Sequence, residues 1–565
     1  MTNPNLADVT VLIPAAGRVP SEPQFAGTGC PAMLPVGGRP VVYWTLRYLR
    51  ELGLRKFIIA VAERGLYVEE YVRYIVDDSC DVRFIKPSVD GGIGRTIHEL
   101  AELVETPAAL VVLGDTFFRF ADPAVLQSPE PAVLVHEVEE SFRWCIAEVD
   151  AAGRVAALRD KEPNLPGTLS ALIGVYYFPS VERLRGAARA AVAASAGRKT
   201  EMSAILRNVA SETPLRALTA AAWQDCGNAD LQIGSHQKML ESRAFNHLHV
   251  DPLFGMIRKR SERAEKLIDE INYLRLLPPE LAVLFPRLVD FSIDANEPWM
   301  RLEYFGFPTL AEIFLYERQS ASAWRRIFRR LRSVLCDCFQ KWPRNIDVES
   351  LQSMYLTKPR RRLESLTGPP ELLRLVRDAD RLVVNGRPLQ NLSALWPQID
   401  ERIERISRNC AGAVIHGDFC LSNILYDWRS DVCKLIDPRG SFGSAGIYGD
   451  PRYDVAKLYH SVYGLYDFIV HDLFHVAVDG DRVTLEMGVA PHHLEVKTYF
   501  EQVFFPLFDR EEILLLTALL FVSMPPLHYD RPQRQVAMYV RGLQLLDELF
   551  HGVPQTNLTP SVSAR

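Results

Sequence analysis

Through the first 220 residues, short apolar runs rich in valine, isoleucine and leucine alternate with amphipathic stretches. The runs at 9–16, 56–63 and 109–116 read as strands, and the apolar positions in 41–52 and 97–104 have helical spacing. This alternation predicts a parallel sheet with helices on both faces, because near-continuous apolar strands need cover on each side. Beyond residue 116 the pattern changes to four β-rich runs, 132–139, 144–150, 155–160 and 172–178, read as a β-meander inserted into the α/β unit. A helix-rich region is expected from about residue 231, and the pattern restarts near 240 with a strand at 248–259, a helix at 262–276 and a strand at 299–304. From 309 onward helices dominate, broken by strands near 414–415 and 434–436. The expected division is a domain over 1–240, a second over 241–553 and a disordered polar tail over 554–565.

Composition narrows the classes. The chain has 565 residues, 48% hydrophobic and 24% charged, too long for one core and too apolar for a disordered chain. A net charge of −6 argues against a broad basic face and hence against a nucleic-acid partner. Nine irregularly spaced cysteines, with no CxxC pair and no histidine beside Cys336 and Cys338, argue against a disulfide framework and a zinc site. Residues 1–5 lack the basic-then-apolar pattern of a signal peptide, and the most apolar stretch, 513–526, is too short to span a bilayer. A cytoplasmic protein with no membrane partner is expected.

Two groups of motifs carry chemistry. In the first, a strand runs into the small-residue turn Ala15-Ala16-Gly17, where backbone N–H groups can cradle a phosphate. It is followed in order by Leu34-Pro35-Val36-Gly37-Gly38-Arg39-Pro40, Val112-Leu113-Gly114-Asp115, Asp160-Lys161-Glu162-Pro163, the strand 173–178 and Trp223-Gln224-Asp225-Cys226-Gly227. Together these resemble the sugar-1-phosphate nucleotidyltransferases, especially the thymidylyltransferase branch, over roughly residues 8–240. The resemblance implies an α/β Rossmann-like fold and Mg²⁺ held by Asp115 and Asp225. It also implies that Lys161 meets a sugar phosphate and that Ala16 and Gly17 lie against the nucleotide. Read alone, Asp115 at a strand end is equally a turn residue. The loop departs from the family: Val19 and Pro20 stand where a glycine and a hydroxyl residue are expected, and Ser21 and Pro31 where an arginine and a lysine are. Those changes remove backbone approach, a donor and two cations from a site that must stabilise phosphate charge. Arg18, Arg39 and Arg95 are the candidate replacements.

The second group is His416-Gly417-Asp418-Phe419-Cys420-Leu421-Ser422-Asn423, followed by Leu435-Ile436-Asp437. It resembles the choline kinase and aminoglycoside phosphotransferase families, relatives of protein kinases, over roughly 245–550. The resemblance implies an α+β, two-lobed protein-kinase-like fold with ATP as substrate and Mg²⁺ as cofactor. Asp418 would take the proton of an acceptor hydroxyl, and Asn423 and Asp437 would hold Mg²⁺. Upstream, Lys259 would contact the ATP phosphates and Glu270 would position it, while Glu303 and Tyr304 resemble the hinge that binds adenine through its backbone. The competing readings are a solvated basic strand end for Lys259, which sits between Arg258 and Arg260, and a plain edge strand for Glu303 and Tyr304. Arg439 departs from the acidic or aromatic residues that commonly follow this aspartate in choline kinases. It is expected either to meet an anionic substrate or to form a structural salt bridge. Tyr459, Tyr463 and Tyr466 share one helix face and read as core.

The expected whole is a transferase with two activities. Its kinase phosphorylates a sugar, polyol or amino alcohol, and its first domain, given a second NTP, activates a sugar phosphate as an NDP donor for surface polysaccharide. The alternatives are a kinase carrying an inactive, transferase-like binding or scaffold domain, a pair of ligand sensors, and an antibiotic phosphotransferase.

Overall fold

The computed structural model describes residues 6–17, 30–62, 66–88, 91–226, 246–251, 253–408, 410–428 and 430–552. Arg18, Val19, Pro20 and Ser21, the boundary near 240 and the tail over 554–565 lie outside the described residues, and so does the start of the helix-rich region expected from 231. The chain divides into two compact units, Met1–Gln237 and Lys238–Arg565.

The first unit is built on a sheet whose strands lie in the order Asp81–Ile85, Lys56–Val61, Val9–Ala15, Ala108–Val112, Leu169–Phe178, Ala132–Val138, Arg216–Asp225, Thr116–Phe120. The first four pair in parallel, and Leu169–Phe178 joins them antiparallel. Every residue of Val9–Ala15 is buried, which explains its unbroken apolar run. Helices Gly92–Glu102, Val181–Ala194 and Met202–Glu212 bury Ile97, Leu184 and Ile205 in one core with Leu12 and Val111. The hairpin Cys145–Val149 and Val155–Asp160 extends from Leu169–Phe178, which stands between it and Ala132–Val138, so the four runs are not joined in the sequential order of the expected meander. The run 109–116 breaks after Val112, and Thr116–Phe120 is a separate strand. The device that breaks it is a bulge: register slips between Leu172 and Tyr176, with Gly174 at φ +83°. Gly174 O accepts from Leu113 N–H at 2.9 Å, and Ile173 O accepts from Thr116 Oγ1 at 2.8 Å, so the bulge pins the Leu113–Thr116 turn.

The second unit opens with an antiparallel sheet in the order Asn246–Asp251, Met256–Ser261, Trp299–Glu303, Leu288–Ser292. The single strand expected over 248–259 is thus a hairpin, turning through Gly255 at φ +59°. Helix Ala264–Leu276 packs Leu267 and Ile271 against Met300 and Leu302 of this sheet. The rest is mostly helical. Its longest members are Leu392–Ser407, Pro491–Phe504, Arg510–Val522 and Pro532–His551. A small sheet, ordered Arg387–Gln390, Arg381–Val384, Arg482–Met487, Phe474–Asp479, has no counterpart in the sequence reading. No helix among the described residues is long and apolar enough to cross a membrane.

Candidate functional site

In the second unit, strand Ala411–Val414 leads into the loop that carries Asp418 and Asn423, and hairpin Ile424–Asp427 with Val432–Leu435 follows. The hairpin pairs Ile424 with Leu435, which sets Asn423 across from the residues leading to Asp437, and Ile436 N–H donates to Asn423 O at 3.0 Å. Two left-handed residues bend the backbone here, Gly417 at φ +77° and Asp437 at φ +56°. Both carboxylate oxygens of buried Asp454 brace the loop, accepting from His416 N–H at 2.6 Å and Gly417 N–H at 2.8 Å. Asn423 Nδ2 donates to Asp418 O at 2.9 Å, which leaves its amide oxygen as the group able to meet a cation.

Lys259 is buried, contrary to a solvated strand end. Its Nζ lies 2.9 and 2.8 Å from the two Glu270 oxygens and 2.7 Å from Asp437 Oδ1. Burial alone would push the Lys259 ammonium down, but Asp437 and Glu270 outweigh it and hold its pKa above the ordinary lysine range. Burial likewise opposes the charge of Asp418, and Lys457, with Nζ 2.8 Å from Asp418 Oδ1, overcomes it with Arg439, so the carboxyl sits well below its usual range. Five residues that are scattered in sequence thus stand together: Lys259, Glu270, Asp418, Asn423 and Asp437. Glu303 and Tyr304 end the neighbouring strand. Their amide N–H groups donate to Arg287 O at 3.1 Å and Gly255 O at 2.8 Å, so both are already used inside the protein. Tyr459 and Tyr463 are buried, with Tyr459 hydrogen-bonded to Glu501 at 2.8 Å and Tyr463 to Glu548, as core residues.

In the first unit the strand ends collect the chemistry. Ala16 and Gly17 follow strand Val9–Ala15, and a Cβ on Gly114 would stand 3.1 Å from Ala15 Cα, so the two turns touch. Asp115 O accepts from Cys226 N–H at 3.0 Å, and Asp225 pairs in register with Thr116, which brings the two aspartates side by side. Burial first, and then the Asp225 charge, push Asp115 up to about 6. Trp144 links the third residue to this pair. Its indole donates to Asp225 Oδ2 at 3.0 Å, and its carbonyl accepts from Lys161 N–H at 3.1 Å. The Lys161 side chain is exposed on a left-handed residue, φ +55°. Pro31 opens the short helix Pro31–Met33, and Arg39 lies 4.4 Å over the Tyr43 ring. Among the described residues no group of three or more His, Cys, Asp and Glu gathers at one point.

Trp144, Asp454 and Lys457 have no motif of their own. Of the three, Asp454 is the one that braces the loop, through both carboxylate oxygens. Helix Pro451–Val462 presents it and Lys457 three positions apart, on one face.

Comparison with known proteins gives two matches along the chain. The nucleotidyl transferase family model matches residues 27–242, and the phosphotransferase enzyme family model matches 241–475. A low-salt glycan biosynthesis nucleotidyltransferase of Haloferax volcanii is 26% identical over 27% of this chain and 44% of its own length. A glucose-1-phosphate thymidylyltransferase of Streptomyces antibioticus is 22% identical over 41% of this chain and 66% of its own. The chain therefore spans less than two thirds of either relative. A solved structure of HddC from Yersinia pseudotuberculosis, complexed with GMP-PN, covers 40% of this chain and 98% of its own at 20% identity, with a TM-score of 0.34. The chain carries a thymidylyltransferase-like nucleotidyltransferase domain with a Rossmann-like sheet, followed by a phosphotransferase-family domain with an α+β kinase fold.

Proposed function

We propose that the second unit is an ATP-dependent small-molecule kinase and that the first binds a nucleotide or sugar phosphate and activates it slowly. The observation that carries the kinase reading is the convergence of Lys259, Glu270 and Asp437 in one ion-paired cluster beside the Asp418–Asn423 loop. In this reading Glu270 holds Lys259 extended toward the triphosphate. The oxygens of Asn423 and Asp437 fit a hard divalent cation, which takes one or two protein ligands and completes its shell from phosphates and water. Bound Mg²⁺ would neutralise charge on the transferring phosphate.

Asp418 orients the acceptor hydroxyl and takes its proton. The hydroxyl oxygen forms the new bond to the γ-phosphorus as the bond to the β–γ bridging oxygen breaks, and ADP leaves. Lys457 keeps Asp418 anionic and ready to accept. With the Glu303 and Tyr304 amide donors already used, adenine would be met by backbone carbonyls or by the next amide in the chain.

In the first unit, Asp115 and Asp225 would hold Mg²⁺ against a nucleotide lying on Ala16 and Gly17, with Lys161 reaching the sugar phosphate. The kinase product is then the kind of compound that a nucleotidyltransferase converts to an NDP-activated donor, and the similarity to a glycan-biosynthesis enzyme favours surface-polysaccharide assembly as the destination. The exposed Lys161 favours a second reading, in which the first unit binds without turning over.

The deciding test is calorimetry of ATP·Mg²⁺ with the full chain and with Asp437→Ala, beside an assay of phosphorylated product over a panel of sugars and alcohols. ATP·Mg²⁺ should bind and the variant should lose that binding; equal affinity in both would overturn the metal role.

A further inference from the structure

Four basic side chains, Arg439, Lys358, Arg362 and Lys266, lie within electrostatic reach of Asp418 or of one another, and none has a carboxylate at ion-pair distance among the described residues. Arg439 packs on the catalytic loop: a Cβ on Gly417 would lie 2.8 Å from Arg439 Cβ, and the guanidinium sits 5.4 Å from the Tyr453 ring centroid and donates to its hydroxyl. Lys358 and Arg362 lie one turn apart on helix Lys358–Glu364 and share a face. Both are half-buried, yet Lys358 Nζ reaches only the Met354 sulfur at 3.6 Å and Arg362 Nη1 only Ser523 Oγ at 3.4 Å. Lys266 projects from the first turn of helix Ala264–Leu276. Among the described residues, no aspartate or glutamate forms an ion pair with any of the four, whereas the neighbouring Lys457 pairs with Asp418 itself.

The four form one electrostatic group. Arg439, Arg362, Lys457 and Lys266 all act on Lys358, and Asp418 acts on both Lys266 and Arg362. The leading charges on Lys259 are instead those of Asp437 and Glu270, so the triphosphate's lysine belongs to a separate, already balanced cluster. Burial, followed by the repulsion of its neighbours, pushes Lys358 down to about 6. A site that crowds like charges in this way gains from an anion placed among them.

We propose that the phosphoryl acceptor is an anion, a hydroxyl compound that already bears a carboxylate or phosphate, held by Lys358, Arg362 and Arg439 while its free hydroxyl faces Asp418. This rests on the kinase reading of the same site. It disfavours amino alcohols and aminoglycosides, whose ammonium groups would meet like charge.

The test uses the full chain with Mg²⁺ and a non-hydrolysable ATP analogue. It is titrated calorimetrically with D-glucuronate, D-glucose 6-phosphate and D-glucose, which share a ring and differ in the anionic group. At least one of the two anions should bind about tenfold or more tighter than glucose, and which one binds separates carboxylate from phosphate recognition. In Lys358→Met/Arg362→Met that binding should weaken by about 10–100-fold, as expected for losing charge-assisted contacts. The affinity of the ATP analogue should stay unchanged, which also reports that the variant is folded; should the double variant not fold, Lys358→Gln is read in the same titration. Glucose binding as tightly as both anions, no binding of either anion, or unchanged binding in the variant would each overturn the proposal. Failure of the wild-type chain to bind the ATP analogue would instead remove the kinase reading beneath it.

Discussion

In the proposed kinase reaction Asp418 has the central role, and its neighbours act on the charge that this role needs. Desolvation works against its charge, and the ammonium of Lys457 at 2.8 Å restores it. Asp418→Asn keeps the shape and removes the proton acceptor, so phosphoryl transfer should fall by about 10²–10⁴-fold. ATP·Mg²⁺ affinity should hold, because Lys259, Asn423 and Asp437 are untouched. Single-turnover transfer and calorimetry on the same sample check both halves, and residual transfer above about a tenth of wild type would count against the base assignment. The His-Gly-Asp and Ile-Asp motifs mark Asp418, Asn423 and Asp437 as candidates in the sequence, and the fold brings them together with Lys259. Lys457 was not legible. A lone lysine on a helix reads as solvated, and only the fold brings it from 39 positions away onto Asp418.

At the scale of elements, the end of helix Leu310–Tyr316 stores a pH dependence. Glu317 caps it, buried, with Gln319 donating to its carboxylate. Burial pushes this carboxyl up to about 8; the Gln319 hydrogen bond opposes the shift and the Glu312 charge adds to it. The folded chain thus keeps a proton here that the unfolded chain releases near the ordinary value of 4.5. The resulting stability is fully present below about 4.5 and is lost as pH rises through about 8. Between about pH 6 and 9 the unfolding midpoint should fall, and Glu317→Gln, neutral at every pH, should flatten that slope. Parallel slopes for the two proteins would refute it.

The elements themselves were unequally readable. Strands such as Val9–Ala15 announce themselves because burial on both faces forces an apolar run. The bulge at Gly174 does not, since a register slip is a relation between strands. The hairpin within 246–261 reads as one strand because apolar residues continue across its turn, although Asp251 and Gly255 are turn signals. Strand Arg381–Val384 pairs in parallel with Arg482–Met487 about a hundred residues later, a partner that local periodicity cannot supply.

Across the whole molecule, two units with separate cores carry separate candidate sites, so chemistry lost in one should leave the other intact. The first unit is the harder to judge, because its parts point in different directions. Asp115 and Asp225 stand side by side, and burial with the Asp225 charge pushes Asp115 up, an arrangement that a divalent cation would relieve. Against this, Ser21 and Pro31 replace two cations of the family's phosphate loop. At about 1.5–3 kcal/mol for each charge-assisted contact, that loss corresponds to a rate lower by roughly 10²–10⁴-fold. Retained carboxylates with a depleted loop predict binding without fast turnover. With Mg²⁺, the full chain should bind a nucleotide or a sugar 1-phosphate and release pyrophosphate slowly from an NTP, and Asp115→Ala should abolish that release while leaving ATP binding in the second unit unchanged. Following pyrophosphate with each NTP against a series of sugar 1-phosphates checks this. Rapid release that Asp115→Ala abolishes would mean that other cations have replaced those lost from the loop, and failure to bind any nucleotide or sugar phosphate would make the first unit structural.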